Sequence, residues 1–312
     1  MTVSILRTEH SWWVLTATGA AEIRTAASST RELLQDRPAV DAAAARGGTV
    51  AVESLDLLSP LTAPCRVVAQ MTNYASHARD AGLDPGRVPL TFFRKASGSV
   101  SGPEETILRP RHVTLLDYEV EIGLVIGHPL PVGTRIADGD LPRYVAGLVV
   151  ANDVSARDVQ LTRTQFYESK SYPTFTPVGP RLVLLEDDEL SRFTELRLTL
   201  RVNGAVRQDR TAADMIYRPL QALRALTAFQ HLDPGDLVLT GTPVGTALSA
   251  PPRPVRTLAA LLPEHVKWRL FTTGQQKNPE YLQDGDVVEA SVATDDGAID
   301  LGTQHTTVKW ER

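Results

Sequence analysis

The sequence is poor in cysteine and has no long apolar run. Cys65 is the single cysteine in 312 residues, which excludes an intrachain disulfide and a site with two thiolate ligands. This usage is typical of a reducing compartment, so we expect a cytoplasmic protein. The N-terminus lacks a basic and apolar leader, and no apolar run approaches the roughly 20 residues that span a bilayer. We therefore expect neither secretion nor a membrane partner.

Positive charge is also not in excess. The chain has 32 Lys+Arg against 37 Asp+Glu, a formal net charge of -5. Without a basic block there is no electrostatic reason to expect nucleic acid as a partner. With 42% hydrophobic and 22% charged residues, the composition is that of a globular protein. A small molecule is the partner that the composition leaves open.

The first part of the chain reads as a small α/β unit. We expect strands at residues 3–6 and 12–16. A helix should follow, because Ser29 and Glu32 have the spacing of a capping box. The Ala-rich segment 41–46 predicts a second helix, which two glycines end.

Two prolines, Pro60 and Pro64, then fix an extended connection and favour a domain boundary near residue 65. We therefore predict a small N-terminal α/β domain over residues 1–65 and a second, larger domain over residues 66–312.

The second part is rich in strands. Short Val/Ile/Leu runs alternate with Gly/Pro turns, whereas only residues 153–162 and 220–229 favour helix. Strands that do not alternate regularly with helices favour an α+β, mainly β fold over a doubly wound sheet. The predicted strands are 66–70, 118–126, 144–150, 181–185, 196–202, 237–240, 287–292 and 306–310.

A long insertion over about residues 250–283 interrupts this pattern. It has leucines at helical spacing and two aromatic residues that we expect to be exposed, so it could cover a site or a partner subunit. These residues are Leu258, Leu261, Leu262, Trp268 and Phe271.

A run of alternating carboxylates is the most informative motif. In a strand, Asp117, Glu119 and Glu121 would share one face, about 7 Å from one to the next. A solvated strand face is the ordinary explanation of such a pattern. Here the strand continues into residues 124–126, which are apolar on both faces, so the carboxylates should lie near the interior. A divalent cation would relieve their repulsion.

A second group follows the apolar strand at 144–150. Asp153 stands at the end of that strand, and Arg157 and Gln160 would follow on one face of a helix. Alone, this pattern also fits a helix-capping Asp with an ordinary ion pair. Together with Glu119 and Glu121, Asp153 supplies a third oxygen ligand, and oxygen ligands favour Mg²⁺ or Mn²⁺ over Zn²⁺.

One histidine has a suggestive neighbour. His77 and Asp80 would share a face of a helical turn, where a carboxylate could fix the tautomer of an imidazole base. A structural or surface histidine is the alternative. The sequence has no nucleophile elbow, Walker loop or Gly-x-Gly-x-x-Gly motif, so serine-hydrolase chemistry and nucleotide binding lack support.

Taken together, the motifs resemble the fumarylacetoacetate hydrolase family over roughly residues 66–312. The motifs occur in the same order along the chain as in the family. Together they are therefore a much more specific signal than any single motif would be. The motifs are Asn73-Tyr74-x-x-His77, Phe93-Arg94-Lys95, Tyr118-Glu119-Val120-Glu121, Asn152 to Gln160, Lys170 to Phe175, Val202-Asn203-Gly204, and Pro234-Gly235-Asp236 with Gly241-Thr242-Pro243.

This resemblance implies a mixed β-roll catalytic domain, a homodimer, and Mg²⁺ or Mn²⁺ held by Glu119, Glu121 and Asp153. It also places Lys170 beside the metal and Thr174 behind the ligands. The substrate contacts that it implies are Tyr74, Lys95, Arg157, Gln160 and Thr242.

The implied reaction is hydrolysis of a carbon-carbon bond in an acylpyruvate-type 1,3-diketo acid. By the same resemblance, His77 oriented by Asp80 activates water, and Lys170 and the metal hold the departing enolate. The first alternative is a decarboxylase of the oxaloacetate type, or a hydratase or isomerase of a 2-oxo acid, on the same scaffold. The second is a member without activity that only binds metal or ligand.

Overall fold

The computed structural model describes residues 2–163, 165–248 and 262–311. The strands in these ranges are β1 (Val3–Arg7), β2 (Trp12–Thr16), β3 (Gly19–Glu22), β4 (Val67–Met71), β5 (Thr91–Lys95), β6 (Val100–Ser101), β7 (Ile107–Arg109), β8 (Leu116–Asp117), β9 (Val120–Ile126), β10 (Val145–Asn152), β11 (Ser155–Ala156), β12 (Thr176–Pro177), β13 (Leu182–Leu184), β14 (Arg197–Val202), β15 (Ala205–Thr211), β16 (Leu237–Leu239), β17 (Val287–Ala293) and β18 (Asp300–Trp310). The α-helices are α1 (Thr30–Gln35), α2 (Arg37–Arg46), α3 (Ala75–Asp80), α4 (Leu141–Tyr144), α5 (Arg157–Thr162), α6 (Asp187–Ser191), α7 (Pro219–Thr227) and α8 (Glu264–Gln275).

The main sheet has nine strands in the order β3-β2-β1-β13-β10-β9-β16-β4-β5. Its neighbours pair antiparallel except β16 and β4, which are parallel. Such a sheet is not doubly wound, so the predicted mainly β, mixed fold is confirmed. Strands β9 and β10 lie at its centre, and every residue of β9 is buried.

A second sheet of five strands, in the order β15-β14-β17-β18-β7, packs on one face of the main sheet. On β14, Leu198 and Leu200 point inward and join Ile122 and Leu124 of β9 in one apolar cluster. Helices α1 and α2 cover the other face of the main sheet, where Leu33 and Val40 join a second cluster. Burial on both faces explains why β9 and β10 read as nearly continuous apolar runs.

The N-terminal residues extend the main sheet. Strand β1 pairs antiparallel with β13, with Val3 opposite Leu184 and Ile5 opposite Leu182. Residues 1–65 and 66–312 thus share a sheet and an apolar cluster. The division into two domains stays a prediction from the sequence.

The N-terminal helices follow local signals. The capping box is confirmed, because the Ser29 hydroxyl accepts a hydrogen bond from the Glu32 amide and the Glu32 carboxylate accepts one from the Ser29 amide. Helix α2 begins at Arg37, earlier than the predicted residue 41. Pro38 lies in its first turn, a position that suits proline because no hydrogen-bonding amide is lost there.

The helix expected over residues 153–162 is shorter than predicted. Ser155 and Ala156 first pair with β8, opposite Asp117 and Leu116, and α5 begins only at Arg157. This pairing is not local, so the helical periodicity of the segment could not reveal it.

The insertion contains helix α8, which begins after Pro263. Leu258, Leu261 and the side chain of Trp268 lie outside the described residues, whereas Leu262 is exposed. Among the described helices, none combines the length and hydropathy that a membrane crossing requires.

Candidate active site

The two central strands bring three carboxylates together. Glu121 lies on β9 opposite Ala151 of β10, and Glu119 and Asp153 lie just outside the paired strand ends. The amide of Asp153 donates to the carbonyl of Glu119 over 2.8 Å. One carboxylate oxygen from each acid lies within 4.8 Å of the others, and all three residues are buried. Antiparallel pairing therefore assembles the carboxylate cluster, defined as Glu119, Glu121 and Asp153.

Three cations surround this cluster. Lys170 Nζ donates to Glu119 Oε2 over 2.8 Å and to Asp153 Oδ2 over 2.7 Å. Lys95 donates to Asp153 Oδ1 and, over 2.8 Å, to the carbonyl of Phe175. Both lysines are buried, and burial lowers the pKa of Lys95, whereas for Lys170 the neighbouring carboxylates outweigh burial and raise it.

Arg157 is the third cation. Its Nε donates to Asp117 Oδ2 over 2.7 Å, its Nη1 to Gln160 Oε1 over 2.7 Å, and its Nη2 to Glu119 Oε1. Burial alone would raise the pKa of Glu119, but Arg157 and Lys170 outweigh it and lower that pKa to about 2. Asp117 thus holds the arginine and does not join the carboxylate cluster, contrary to the shared face expected from alternation. The reason is that β9 begins only at Val120, while Asp117 belongs to β8.

Glu121 differs from the other two acids. In the described part of the chain its carboxylate has no ion-pair partner and accepts a hydrogen bond from the amide of Gly241 over 2.7 Å. Burial, together with the charges of Asp153 and Glu119, raises its pKa well above the ordinary range. A buried carboxylate beside two others is stabilised by a bound cation. Three convergent oxygen donors fit Mg²⁺ or Mn²⁺.

Gly241 is required at this contact. Its φ is +86°, and an added Cβ would lie 2.8 Å from the Cβ of Asn73. Glycine is therefore the residue that lets the amide approach Glu121.

A cavity of about 340 Å³ opens beside the carboxylate cluster. Its described polar or charged lining residues are Gln70, Thr72, His77, Asp80, Glu119, Glu121, Arg157, Gln160, Lys170 and Thr242, and its apolar ones are Met71, Ala81, Phe93, Leu161, Phe166, Leu248 and Phe271. The described lining residues lie between Gln70 and Phe271 in the sequence, and Phe271 belongs to the insertion.

His77 and Asp80 both lie on α3 and line the cavity. The expected hydrogen bond between them is not formed: His77 Nδ1 is buried and has no hydrogen-bond partner in the described part of the chain. Burial lowers the pKa of His77, although the charge of Glu119 opposes the shift. The imidazole is therefore neutral at pH 7, and its role as a base stays a prediction.

The other site residues that the sequence predicts differ in whether they line the cavity. Thr242 lines it and donates to the carbonyl of Val120 over 2.9 Å. Tyr74 and Lys95 are buried and are not among its described lining residues, and the Tyr74 hydroxyl has no hydrogen-bond partner within the described ranges of the chain. Thr174 has a positive φ of 67°, accepts a hydrogen bond from the amide of Leu108 over 2.8 Å, and is not among the described lining residues of the cavity. The roles assigned to these residues stay predictions.

Several supporting residues were missed by sequence reasoning. Asn73 ties two segments together through the carbonyls of Tyr217 and Thr240. Gln208 binds Thr242 Oγ1 over 2.9 Å. The Asp214 carboxylate accepts from the amide and hydroxyl of Ser76 on the first turn of α3. No local motif marks these long-range contacts, except that Asn73 belongs to the Asn-Tyr motif.

Comparison with known proteins identifies the family to which the chain belongs. A sequence model described as fumarylacetoacetate (FAA) hydrolase C-terminal matches residues 66–309. The chain belongs to the fumarylacetoacetate hydrolase family. This confirms the resemblance drawn from the motifs and assigns the protein to a family of enzymes.

Individual relatives carry different activities in their names. Oxaloacetate tautomerase Fahd2a, mitochondrial, of Rattus norvegicus is 36% identical over 196 residues, which are 62% of this chain and 61% of the relative. The match thus spans less than two thirds of that relative's length. The structure of a probable 2-hydroxyhepta-2,4-diene-1,7-dioate isomerase from Mycobacterium abscessus matches over the full length of both chains, with a TM-score of 0.76 and 31% identity. A fumarylacetoacetate hydrolase from Exiguobacterium antarcticum also matches over both full chains, with a TM-score of 0.70 and 25% identity.

Proposed function

We propose that this protein is a divalent-metal-dependent enzyme that interconverts the enol and keto forms of a 2-oxo acid. The observation that carries the proposal is the buried carboxylate cluster with Lys170 beside it in the wall of a cavity. The names of two relatives support this reaction, since a tautomerase and an isomerase both rearrange a molecule without cleaving it. This choice replaces hydrolysis as the first candidate.

Glu119, Glu121 and Asp153 would hold Mg²⁺ or Mn²⁺. When bound, the ion would supply Lewis acidity toward the oxygens of the 2-oxo acid head. Lys170 holds Glu119 and Asp153 in place with two of its three N–H groups. Its third N–H is left to donate to the substrate oxygen that becomes negatively charged.

Proton transfer at carbon is assigned to His77. In the keto-to-enol direction its imidazole takes a proton from C3 and passes it to the enolate oxygen. In the reverse direction it takes the proton of the enol oxygen and passes it to C3, so the imidazole is neutral before and after each turnover. Burial lowers the pKa of His77, which keeps the imidazole in the accepting form at pH 7. Gln160 and Thr242 line the same cavity and would orient the substrate head.

Carbon-carbon hydrolysis of an acylpyruvate is the second candidate. A neutral imidazole in a cavity wall suits the activation of water as well as proton transfer at carbon. The two reactions differ in their products, because hydrolysis cleaves the substrate and releases pyruvate, whereas tautomerisation yields only an isomer of the substrate.

The test follows the enol absorbance of oxaloacetate and of phenylpyruvate, with Mg²⁺ and with a chelator. We expect loss of enol absorbance faster than in buffer, abolished by the chelator. In parallel, acetylpyruvate is incubated with the enzyme and pyruvate is measured. Pyruvate formation without acceleration of either enol would favour the hydrolase and contradict the proposal.

The Glu121→Gln variant provides a check on the site. It removes one carboxylate from the cluster while keeping the size of the side chain, so Mg²⁺ binding measured by calorimetry should be lost together with activity. Glu289→Gln is the matched control, because Glu289 also lies on a strand, β17 of the second sheet, but pairs with His305 and is not among the described lining residues of the cavity. Unchanged Mg²⁺ binding in Glu121→Gln would show that the cluster is not the metal site.

Two further expectations stay predictions. The homodimer is tested by size-exclusion chromatography with light scattering. The cytoplasmic location contrasts with the word mitochondrial in the names of relatives, and fractionation of the source cells tests it.

A further inference from the structure

Apart from Ala81, six apolar side chains line the cavity beside the carboxylate cluster. They come from separate elements, β4, β5, the end of α5, the segments that follow α5 and β16, and helix α8. These side chains are Met71, Phe93, Leu161, Phe166, Leu248 and Phe271. Because such distant segments converge, the apolar wall is a feature of the folded cavity and not of one local sequence.

The apolar wall begins next to the 2-oxo acid site. Phe93 and Phe166 form an edge-to-face pair with ring centroids 5.6 Å apart and an interplanar angle of 74°. Lys170 Nζ lies 5.3 Å from the ring centroid of Phe93. A substrate whose head contacts Lys170 therefore meets an aromatic surface at once. Edge-to-face packing of a further ring on such a surface is favourable.

Positive charge in the cavity wall is already neutralised. Lys170 pairs with Glu119 and Asp153, and Arg157 pairs with Asp117 and Glu119. Among the described lining residues these are the two cationic side chains, apart from His77, whose pKa burial lowers.

Asp80 adds negative charge to the same wall. A second carboxylate on the substrate would lie near this acid and would find no unpaired cation among the described lining residues. Asp80 is exposed, so the second carboxylate would be repelled by Asp80 and would lose solvation against the apolar wall, and both effects are unfavourable.

We propose that the substrate is a 2-oxo monocarboxylic acid whose other end is an apolar group of about the size of a phenyl ring. The identity of the head group rests on the proposed function, whereas the apolar end rests on the cavity wall. The cavity volume of 340 Å³ suits such a molecule, since ligand cavities start at about 300 Å³. The names of two relatives contain oxaloacetate and a 1,7-dioate, which are dicarboxylates. This chain is thus expected to differ from them in specificity.

A matched pair of substrates tests the proposal. Phenylpyruvate and oxaloacetate share the 2-oxo acid head and differ in a phenyl ring against a carboxylate. With Mg²⁺ present, kcat/KM for ketonisation of the enol should be higher for phenylpyruvate by about tenfold or more, because one methylene in an apolar pocket already discriminates by about tenfold. Equal values, or a preference for oxaloacetate, would overturn the proposal. Acceleration of neither enol would instead refute the proposed function.

If neither enol is accelerated, a binding measurement still tests the preference for an apolar substrate. 3-Phenyllactate and malate are the corresponding 2-hydroxy acids and cannot enolise through a 2-oxo group. Calorimetry in the presence of Mg²⁺ should give a Kd about tenfold lower for 3-phenyllactate. Tighter binding of malate would overturn the inference whatever the activity.

Variants locate the effect in the apolar wall. Leu161→Arg should weaken binding of 3-phenyllactate and strengthen binding of malate, because it adds an unpaired cation. Phe166→Ala should weaken binding of 3-phenyllactate and leave malate unchanged. Phe229→Ala is the control, an exposed aromatic side chain that does not line the cavity. The same loss in Phe229→Ala as in Phe166→Ala would contradict a specific apolar site.

Discussion

Replacement of Lys170 by methionine should destabilise the protein strongly. Lys170 is 2% exposed, and its Nζ contacts Glu119 Oε2 over 2.8 Å and Asp153 Oδ2 over 2.7 Å. Removing one partner of a buried ion pair costs about 3–5 kcal/mol, because a buried charge is left uncompensated. Glu119 retains Arg157 and Asp153 retains Lys95. We therefore expect a loss near the lower end, about 3 kcal/mol.

Urea denaturation in the presence of a chelator measures this loss as the change in the free energy of unfolding. Added Mg²⁺ should recover part of it, since bound metal replaces the missing positive charge. Arg197→Met is the matched control: Arg197 also pairs with two carboxylates, Asp209 and Asp295, but in solvent. Its loss should be much smaller because exposed ion pairs are screened by water. Equal losses in the two variants would refute the reasoning.

Three further predictions concern the site. Burial lowers the pKa of His77 below its ordinary value of about 6.5. In a pH-rate profile, kcat should therefore stay level as the pH falls through about 6.5 and decrease only at lower pH. A decrease of kcat centred at or above about pH 6.5 would contradict this. Asp214→Asn should weaken the contact with Ser76 that holds the first turn of α3. The resulting misplacement of His77 should lower kcat by about tenfold or more, whereas Mg²⁺ affinity measured by calorimetry should not change. An unchanged kcat would show that this contact does not position the imidazole. Gly241→Ala should weaken Mg²⁺ binding in the same assay, because the residue has a φ of +86° and its amide holds Glu121; wild-type affinity would show that the amide contact is dispensable.

Much of the fold could be predicted because its signals are local. The capping box at Ser29 and Glu32 marks the start of α1, and the apolar runs mark β9 and β10. The start of α5 could not be predicted, because Ser155 and Ala156 form strand pairs with Asp117 and Leu116 of β8. Such pairing depends on the tertiary fold and leaves no trace in the periodicity of the segment itself.

The candidate site also contains some contacts that the sequence predicts and others that depend on the tertiary fold. Alternation and strand ends predict that Glu119, Glu121 and Asp153 are near one another, and the structure places their oxygens within 4.8 Å. The buried pair of Lys95 with Asp153 depends on β5 being the edge neighbour of β4. The position of Phe271 in the cavity wall depends on the packing of α8. Neither arrangement follows from spacing along the sequence.

Exchange of hydrogen at C3 of a 2-oxo acid in D₂O tests the central claim most directly. Phenylpyruvate is incubated with the protein and Mg²⁺, and deuterium incorporation is followed by proton NMR. We predict exchange at C3 faster than in buffer, without cleavage of the carbon skeleton, and abolished by a chelator and by Glu121→Gln. Exchange at the buffer rate, while calorimetry shows that Mg²⁺ is bound, would contradict the account.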